Sequence, residues 1–158
     1  MNKFKNKLSG IFTIASDCHL IVNKLSKKGG FHHTPINISK LCYDKLKTRK
    51  FLEKSFIQPK SFLIKNYDDF KKKVKSLQSD YVLKHLNLSG SKGFNEFKSN
   101  ELLTRNQFNK NLKKYPLSKG ILIEEKLKKK EKFLFSEMSS ESIWQDGKII
   151  FFNCVDRI

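Results

Sequence analysis

Between two runs of β-type residues, SFLI at 61–64 and DYVL at 80–83, lies the segment NYDDFKKKVKSL, whose spacing leaves little choice of conformation. Tyr67, Phe70, Val74 and Leu77 recur at i, i+3, i+7 and i+10, the stripe of a helix that buries one face. Asn66 stands where a cap accepts the first free N–H groups. Asp69 follows near the positive end of the helix, and lysines 71–73 and Lys75 lie toward the negative end. A one-faced helix flanked by strands needs a sheet to pack on.

The rest of the chain supplies that sheet. Residues 11–25, IFTIASDCHLIVNKL, predict a short strand turning through Asp17 into a helix, half of an α/β unit. KKGGF at 27–31 reads as a loop, and Pro35 marks an extended approach to the next helix. LCYDKLKTRKFLEKSF, at 41–56, predicts one helix carrying Leu41, Leu46, Leu52 and Phe56, ended by the turn at Gln58-Pro59. DYVLKHLNLSGSKGFNEF predicts two strands around a small-residue loop. A second helix from about 101 to 114 carries Leu102, Leu103, Phe108 and Leu112 and closes at Tyr115-Pro116. GILIEEKL is a strand, Lys128 to Lys132 a charged connection, and Asp146-Gly147 a hairpin turn between apolar-aromatic runs. The order strand, helix, strand, strand, helix, strand, hairpin predicts an α+β fold rather than a helical nucleic-acid-binding bundle.

Size and composition bound the function. A chain of 158 residues, 38% hydrophobic with 14 Phe, has room for about one ordinary domain with a core, which excludes both a large machine and a disordered tail. The net charge of +18 points first to polyanions. Yet of 33 basic residues only Arg49, Arg105 and Arg157 carry the guanidinium fork that phosphate and base recognition favours. The lysine excess comes with abundant Asn, Ile and Phe, the mixture A/T-rich coding yields without selection for binding. Cys18, Cys42 and Cys154 are odd in number and widely spaced, so neither a disulfide framework nor a CxxC metal knuckle is available, and a reducing cytoplasm fits. No apolar run approaches the roughly 18 residues that span a bilayer. The opening MNKFKNKLSGIFTIASDC imitates a lipoprotein signal but places Asp17, not a small residue, before Cys18.

The residues that carry chemistry cluster in DYVLKHLNLSGSKGF. Lys84 lies in an extended apolar segment, and Ser89, Gly90, Ser91, Lys92 and Gly93 follow five residues later, bringing an ammonium near a loop that permits close backbone approach to oxyanions. This is no Walker A motif, because no GKS or GKT follows four residues after a glycine. Asp44-Lys45 opens a helix about forty residues earlier, and ILIEEKL lies about forty residues later.

In this order the three stretches resemble the ATP-grasp superfamily, most closely its carbamoyl-phosphate-synthase-like and biotin-carboxylase-like carboxylate-amine ligases. The resemblance divides the chain into 1–40, a remnant of the preceding α/β domain, 41–127, the lid subdomain, and 128–158, the start of the second ATP-grasp subdomain. It implies an ATP-binding part of a ligase that activates a carboxylate as an acyl-phosphate for attack by an amine or another nucleophile. It assigns Lys45 and Lys84 to the nucleotide phosphates and the loop from Ser89 to Gly93 to a mobile phosphate cover. Glu124, Glu125 and Leu127 become the hinge that holds the adenine. The ribose-binding acid is Glu131 when counted from the hinge and Glu137 when counted back from the hairpin, with Glu131 preferred. The family's magnesium-binding acids fall beyond the hairpin, so the resemblance implies a chain incomplete as written, with magnesium ligands outside it and a second polypeptide able to complete the site. The acceptor carboxylate is unreadable.

Other residues read as structure. His32 and His33 are adjacent and diverge in extended backbone, which suits two solvated imidazoles better than a metal pair. His85 points away from Lys84 in a strand. Ser89 and Ser91 have no base partner. Trp144 reads as core, and the lysine runs as solvated faces. The rival function is a small Lys-rich nucleic-acid-binding module with exposed aromatics between basic residues and a steep salt dependence.

Overall fold

The computed structural model describes residues 7–15, 17–116, 118–128 and 137–157. In chain order the elements are α1 His19–Gly29, α2 Ile36–Tyr43, α3 Lys45–Leu52, β1 Ser61–Ile64, α4 Tyr67–Leu77, β2 Tyr81–His85, β3 Asn95–Phe97, α5 Arg105–Lys114, β4 Ile121–Glu125, β5 Glu137–Gln145 and β6 Lys148–Arg157. They form an α+β fold in two compact units, Met1–Lys126 and Leu127–Ile158. Among the described residues no helix is long and apolar enough to cross a membrane.

In the first unit β1, β4, β2 and β3 lie in that order in one antiparallel sheet. The period of two along each strand separates the side chains by face. Tyr81, Leu83, Ile121, Ile123 and Ile64 meet Phe70, Val74 and Leu77 of α4 and Phe108 of α5 in one buried cluster. The Phe70 and Phe108 rings approach to 5.2 Å, and Tyr81 stacks on Phe97 at 5.0 Å. The apolar stripe of α4 is therefore the sheet's cover, as its spacing requires. Asn66 caps α4, its side chain accepting from the Asp69 N–H at 2.9 Å.

The opposite face of the sheet carries Val82, Lys84, Leu122 and Glu124, since Lys84 pairs with Leu122 and Val82 with Glu124. Helix α3 reaches this face. The Lys45 N–H donates to the Leu86 carbonyl at 3.0 Å, which ties the start of α3 to the end of β2.

Five expectations need correction. Residues 27–29, read as the start of a loop, form the end of α1, which stops at Gly30 in left-handed backbone with φ of 74°. Residues 11–15 form no strand; the Ile11 carbonyl accepts from the Ser26 hydroxyl at 3.1 Å and the Ala15 N–H donates to Thr13 Oγ1 at 2.9 Å, so side chains take the backbone groups a sheet would have used. The single helix at 41–56 is two helices. Asp44 adopts an extended conformation and accepts from the Lys47 N–H at 3.1 Å, ending α2 and capping α3 at one residue, and Phe56 falls outside both. Helix α5 begins at Arg105, four residues later than expected, because Thr104 and Gln107 form a reciprocal capping box. Trp144 is 60% exposed rather than core, its indole N–H donating to Ser142 Oγ at 2.9 Å. The second unit's described strands, β5 and β6, are a two-stranded ribbon turning at Asp146-Gly147 as the sequence predicts, and such a ribbon has no second layer to bury a tryptophan.

Candidate anion-binding cleft

Two neighbouring strands and one helix bring the charged residues together. Lys84 projects from β2 and Glu124 from β4 on the same face, and their side chains pair at 2.6 Å. Arg49, in the second turn of α3, holds the same carboxylate with Nε at 2.8 Å and Nη2 at 3.3 Å. Glu124 is 1% exposed, so this carboxylate lies in a dry site with two cations on it. Burial works to raise its pKa, yet the hydrogen bonds and charges of Arg49 and Lys84 hold it below the usual glutamate value.

Lys45 reaches the same region from the first position of α3. Its ammonium donates to the carbonyls of His85, at 2.9 Å, and Leu88, bracing the chain where β2 passes into the loop. Burial and then the charge of Lys84 lower its pKa, against the pull of Glu124, Asp17 and Asp44.

The loop itself is built on left-handed backbone. Gly90, Ser91 and Gly93 have φ of 60°, 57° and 69°. The Lys92 N–H donates to the Ser89 carbonyl at 3.2 Å and the Phe94 N–H to the Ser91 carbonyl at 3.1 Å, two successive tight turns. Gly93 has a second reason to be glycine: a Cβ there would lie 2.2 Å from Cδ2 of His85. His85 points into the core side, as its place next to Lys84 predicts, with Nε2 2.9 Å from Oδ1 of Asn111 and its ring edge-on to Tyr115 at 4.7 Å. Lys92 reaches across to Asp17 at 2.9 Å. Lys45, Lys84, Lys92 and the loop enclose a cavity of about 220 Å³.

Of the sequence-predicted residues, Lys45, Lys84, Ser89, Gly90, Ser91 and Lys92 line this cavity, and Gly93 is buried beside it. Glu124 stands next to it through Lys84. Glu125 is half-buried, and its N–H donates to the Lys60 carbonyl at 2.9 Å; the Lys126 N–H donates to Asp80 at 2.8 Å. Leu127 is exposed and opens the second unit. Glu137 is exposed at the start of β5, and Glu131 lies outside the described residues. His32 and His33 are exposed in a loop, as read from the sequence. Sequence reasoning missed Arg49. Its signal was present: one of three arginines, four residues after Lys45 and so on the same helix face.

Among the described residues no three His, Cys, Asp or Glu side chains gather to hold a metal ion. No carboxylate among them lines the cavity, and the two that pair with its lysines, Glu124 and Asp17, are already held by cations, so these residues do not fit a magnesium ion. They fit an anion: of the three lysines lining the cavity, Lys84 pairs with Glu124 and Lys92 with Asp17, while Lys45 donates to backbone carbonyls.

No protein-family model matches the chain. No curated protein matches its sequence. Solved structures do share its fold. The L-amino acid ligase from Bacillus licheniformis aligns with a TM-score of 0.60 at 18% identity, over 81% of this chain and 29% of that one. The RimK domain protein ATP-grasp from Sphaerobacter thermophilus aligns with 0.54 at 11% identity, over 70% of this chain and 42% of that one. The ADP complex of N5-carboxyaminoimidazole ribonucleotide synthetase aligns with 0.62 at 10% identity, over 94% of this chain and 41% of that one. The chain thus shares the fold of the matched part of these structures, one of them named as ATP-grasp, and spans 29–42% of their length.

Proposed function

We propose that the chain is the ATP-binding part of an ATP-grasp ligase, which activates a carboxylate as an acyl-phosphate for attack by an amine or another nucleophile. The observation that carries this is the cavity under the loop at 89–93, lined by the ammonium groups of Lys45, Lys84 and Lys92. Three like charges around one small space favour a multiply charged anion over any neutral occupant. A fold neighbour solved as an ADP complex supports a nucleotide as that anion.

In this proposal 41–127 is the lid subdomain, 128–158 the start of the second subdomain, and 1–40 a remnant of the preceding domain. Lys84 and Lys45 would neutralise phosphate oxygens, and the backbone from Ser89 to Gly93 would cover them. Glu124, Glu125 and Leu127 would form the hinge beside the adenine, with Glu131 or Glu137 on the ribose. Magnesium and the acceptor carboxylate would be held outside the described residues. Phe70 and Phe108 are 0% and 2% exposed, so these two rings pack in the core and offer no face to a nucleic-acid base.

Calorimetry of the purified chain with ATP, with and without magnesium, tests the assignment. Saturable binding is expected, weakened at least about tenfold in Lys84→Ala, the worth of one hydrogen bond between charged groups. Absence of ATP binding, together with duplex DNA binding that falls steeply with salt, would replace it with the nucleic-acid reading.

A further inference from the structure

Glu124 has two cations, and they face different spaces. Lys84 lines the cavity under the loop, whereas Arg49 lines a separate cavity of about 340 Å³ with Leu46, Gln58 and Pro59. Their attachments also differ. Arg49 grips both carboxylate oxygens and anchors its remaining nitrogen, Nη1, on Oε1 of Gln58 at 3.0 Å. Lys84 makes one bond to Glu124, at 2.6 Å, from the end of a flexible four-carbon stem.

A buried carboxylate stripped of its only counter-ion is strongly destabilising. Were Lys84 the sole partner of Glu124, any anion that drew the ammonium away would leave a bare charge 1% exposed. With Arg49 in place the carboxylate keeps a bidentate partner when Lys84 leaves.

We propose that Arg49 is a positioning residue of the cleft: it remains on Glu124 as the permanent counter-ion and so makes Lys84 exchangeable between that carboxylate and an incoming polyphosphate. The proposal rests on the nucleotide assignment only for the identity of the anion.

The test measures binding of ATP and of inorganic tripolyphosphate to the whole chain and to Arg49→Met, Glu124→Gln and the double variant, each checked for cooperative unfolding. Arg49→Met is expected to bind at least about tenfold more weakly, because Lys84 can no longer leave Glu124. Adding Glu124→Gln to it removes the charge that detained Lys84, and tripolyphosphate binding returns to within about threefold of the starting protein. Glu124→Gln alone binds tripolyphosphate, which has no adenine for the hinge to hold, at least as tightly as the starting protein, and this arm decides the matter if Arg49→Met does not fold.

A merely structural role for Arg49 predicts no rescue. Binding by Arg49→Met equal to the starting protein, failure of the tripolyphosphate rescue, or a tenfold loss of tripolyphosphate binding in Glu124→Gln overturns the proposal while leaving ATP binding by the starting protein intact. The expected pattern with tripolyphosphate but no ATP binding upholds Arg49's role and removes the nucleotide. If neither anion binds the starting protein, both fall.

Discussion

His85 shows how one buried side chain couples stability to pH. Its Nδ1 has no hydrogen-bond partner among the described residues and the residue is 1% exposed, packed against Gly93 and Tyr115. Burial lowers its pKa, opposed by the bond to Asn111 and reinforced by the charge of Lys45. The folded state therefore holds its proton less well than the unfolded chain. Stability from this residue is full above the ordinary histidine value near 6.5 and is lost as pH falls below it. Chemical denaturation between pH 7.5 and 5 should show a falling midpoint in the natural chain and a flatter profile in His85→Gln. Equal slopes would assign the acid sensitivity to another group.

At the level of the element, helix ends decide where helices stop and start. Thr104 accepts from the Gln107 N–H at 3.3 Å, and Gln107 Oε1 accepts from the Thr104 N–H at 2.9 Å. Two otherwise orphaned donors are satisfied, so α5 begins at Arg105 although Leu102 and Leu103 extend its apolar pattern N-terminally. Thr104→Ala is expected to cost about 1 kcal/mol in denaturant unfolding and to speed amide exchange at Gln107. An unchanged midpoint would show that packing of Phe108 alone holds the helix. Asp44 acts in the same way, converting one expected helix into α2 and α3 and turning Lys45 and Arg49 toward the sheet.

Across the whole molecule, the buried cluster built on the sheet lies inside Met1–Lys126. The ribbon of the second unit exposes Ile143, Trp144, Ile150 and Phe152, and a two-stranded hairpin is marginal in water by itself. A chain ending at Lys126 is therefore expected to keep a cooperative unfolding transition with a midpoint close to that of the full chain, whereas a peptide of 137–157 should give no dispersed amide spectrum. Loss of cooperativity on truncation would show that the second unit contributes to the first unit's core.

Local chemistry was sufficient for much of this architecture. The stripe of α4, its Asn66 cap, the strands SFLI, YVLKH and ILIEE and the Asp146-Gly147 turn all follow from period, capping and turn residues that act within a few positions. The pairing of Lys84 with the glycine-serine loop was legible for the same reason. Side-chain bonding between distant positions was not. Residues 11–15 had strand composition but no strand to pair with, since Ser26 claimed the Ile11 carbonyl. Trp144 looked like core because residue type reports only a preference for burial, and burial needs a second layer. Arg49 and Glu124 are 75 positions apart. Their meeting required α3 to start at Asp44 and β4 to sit between β1 and β2, and only the folded chain brings those conditions together.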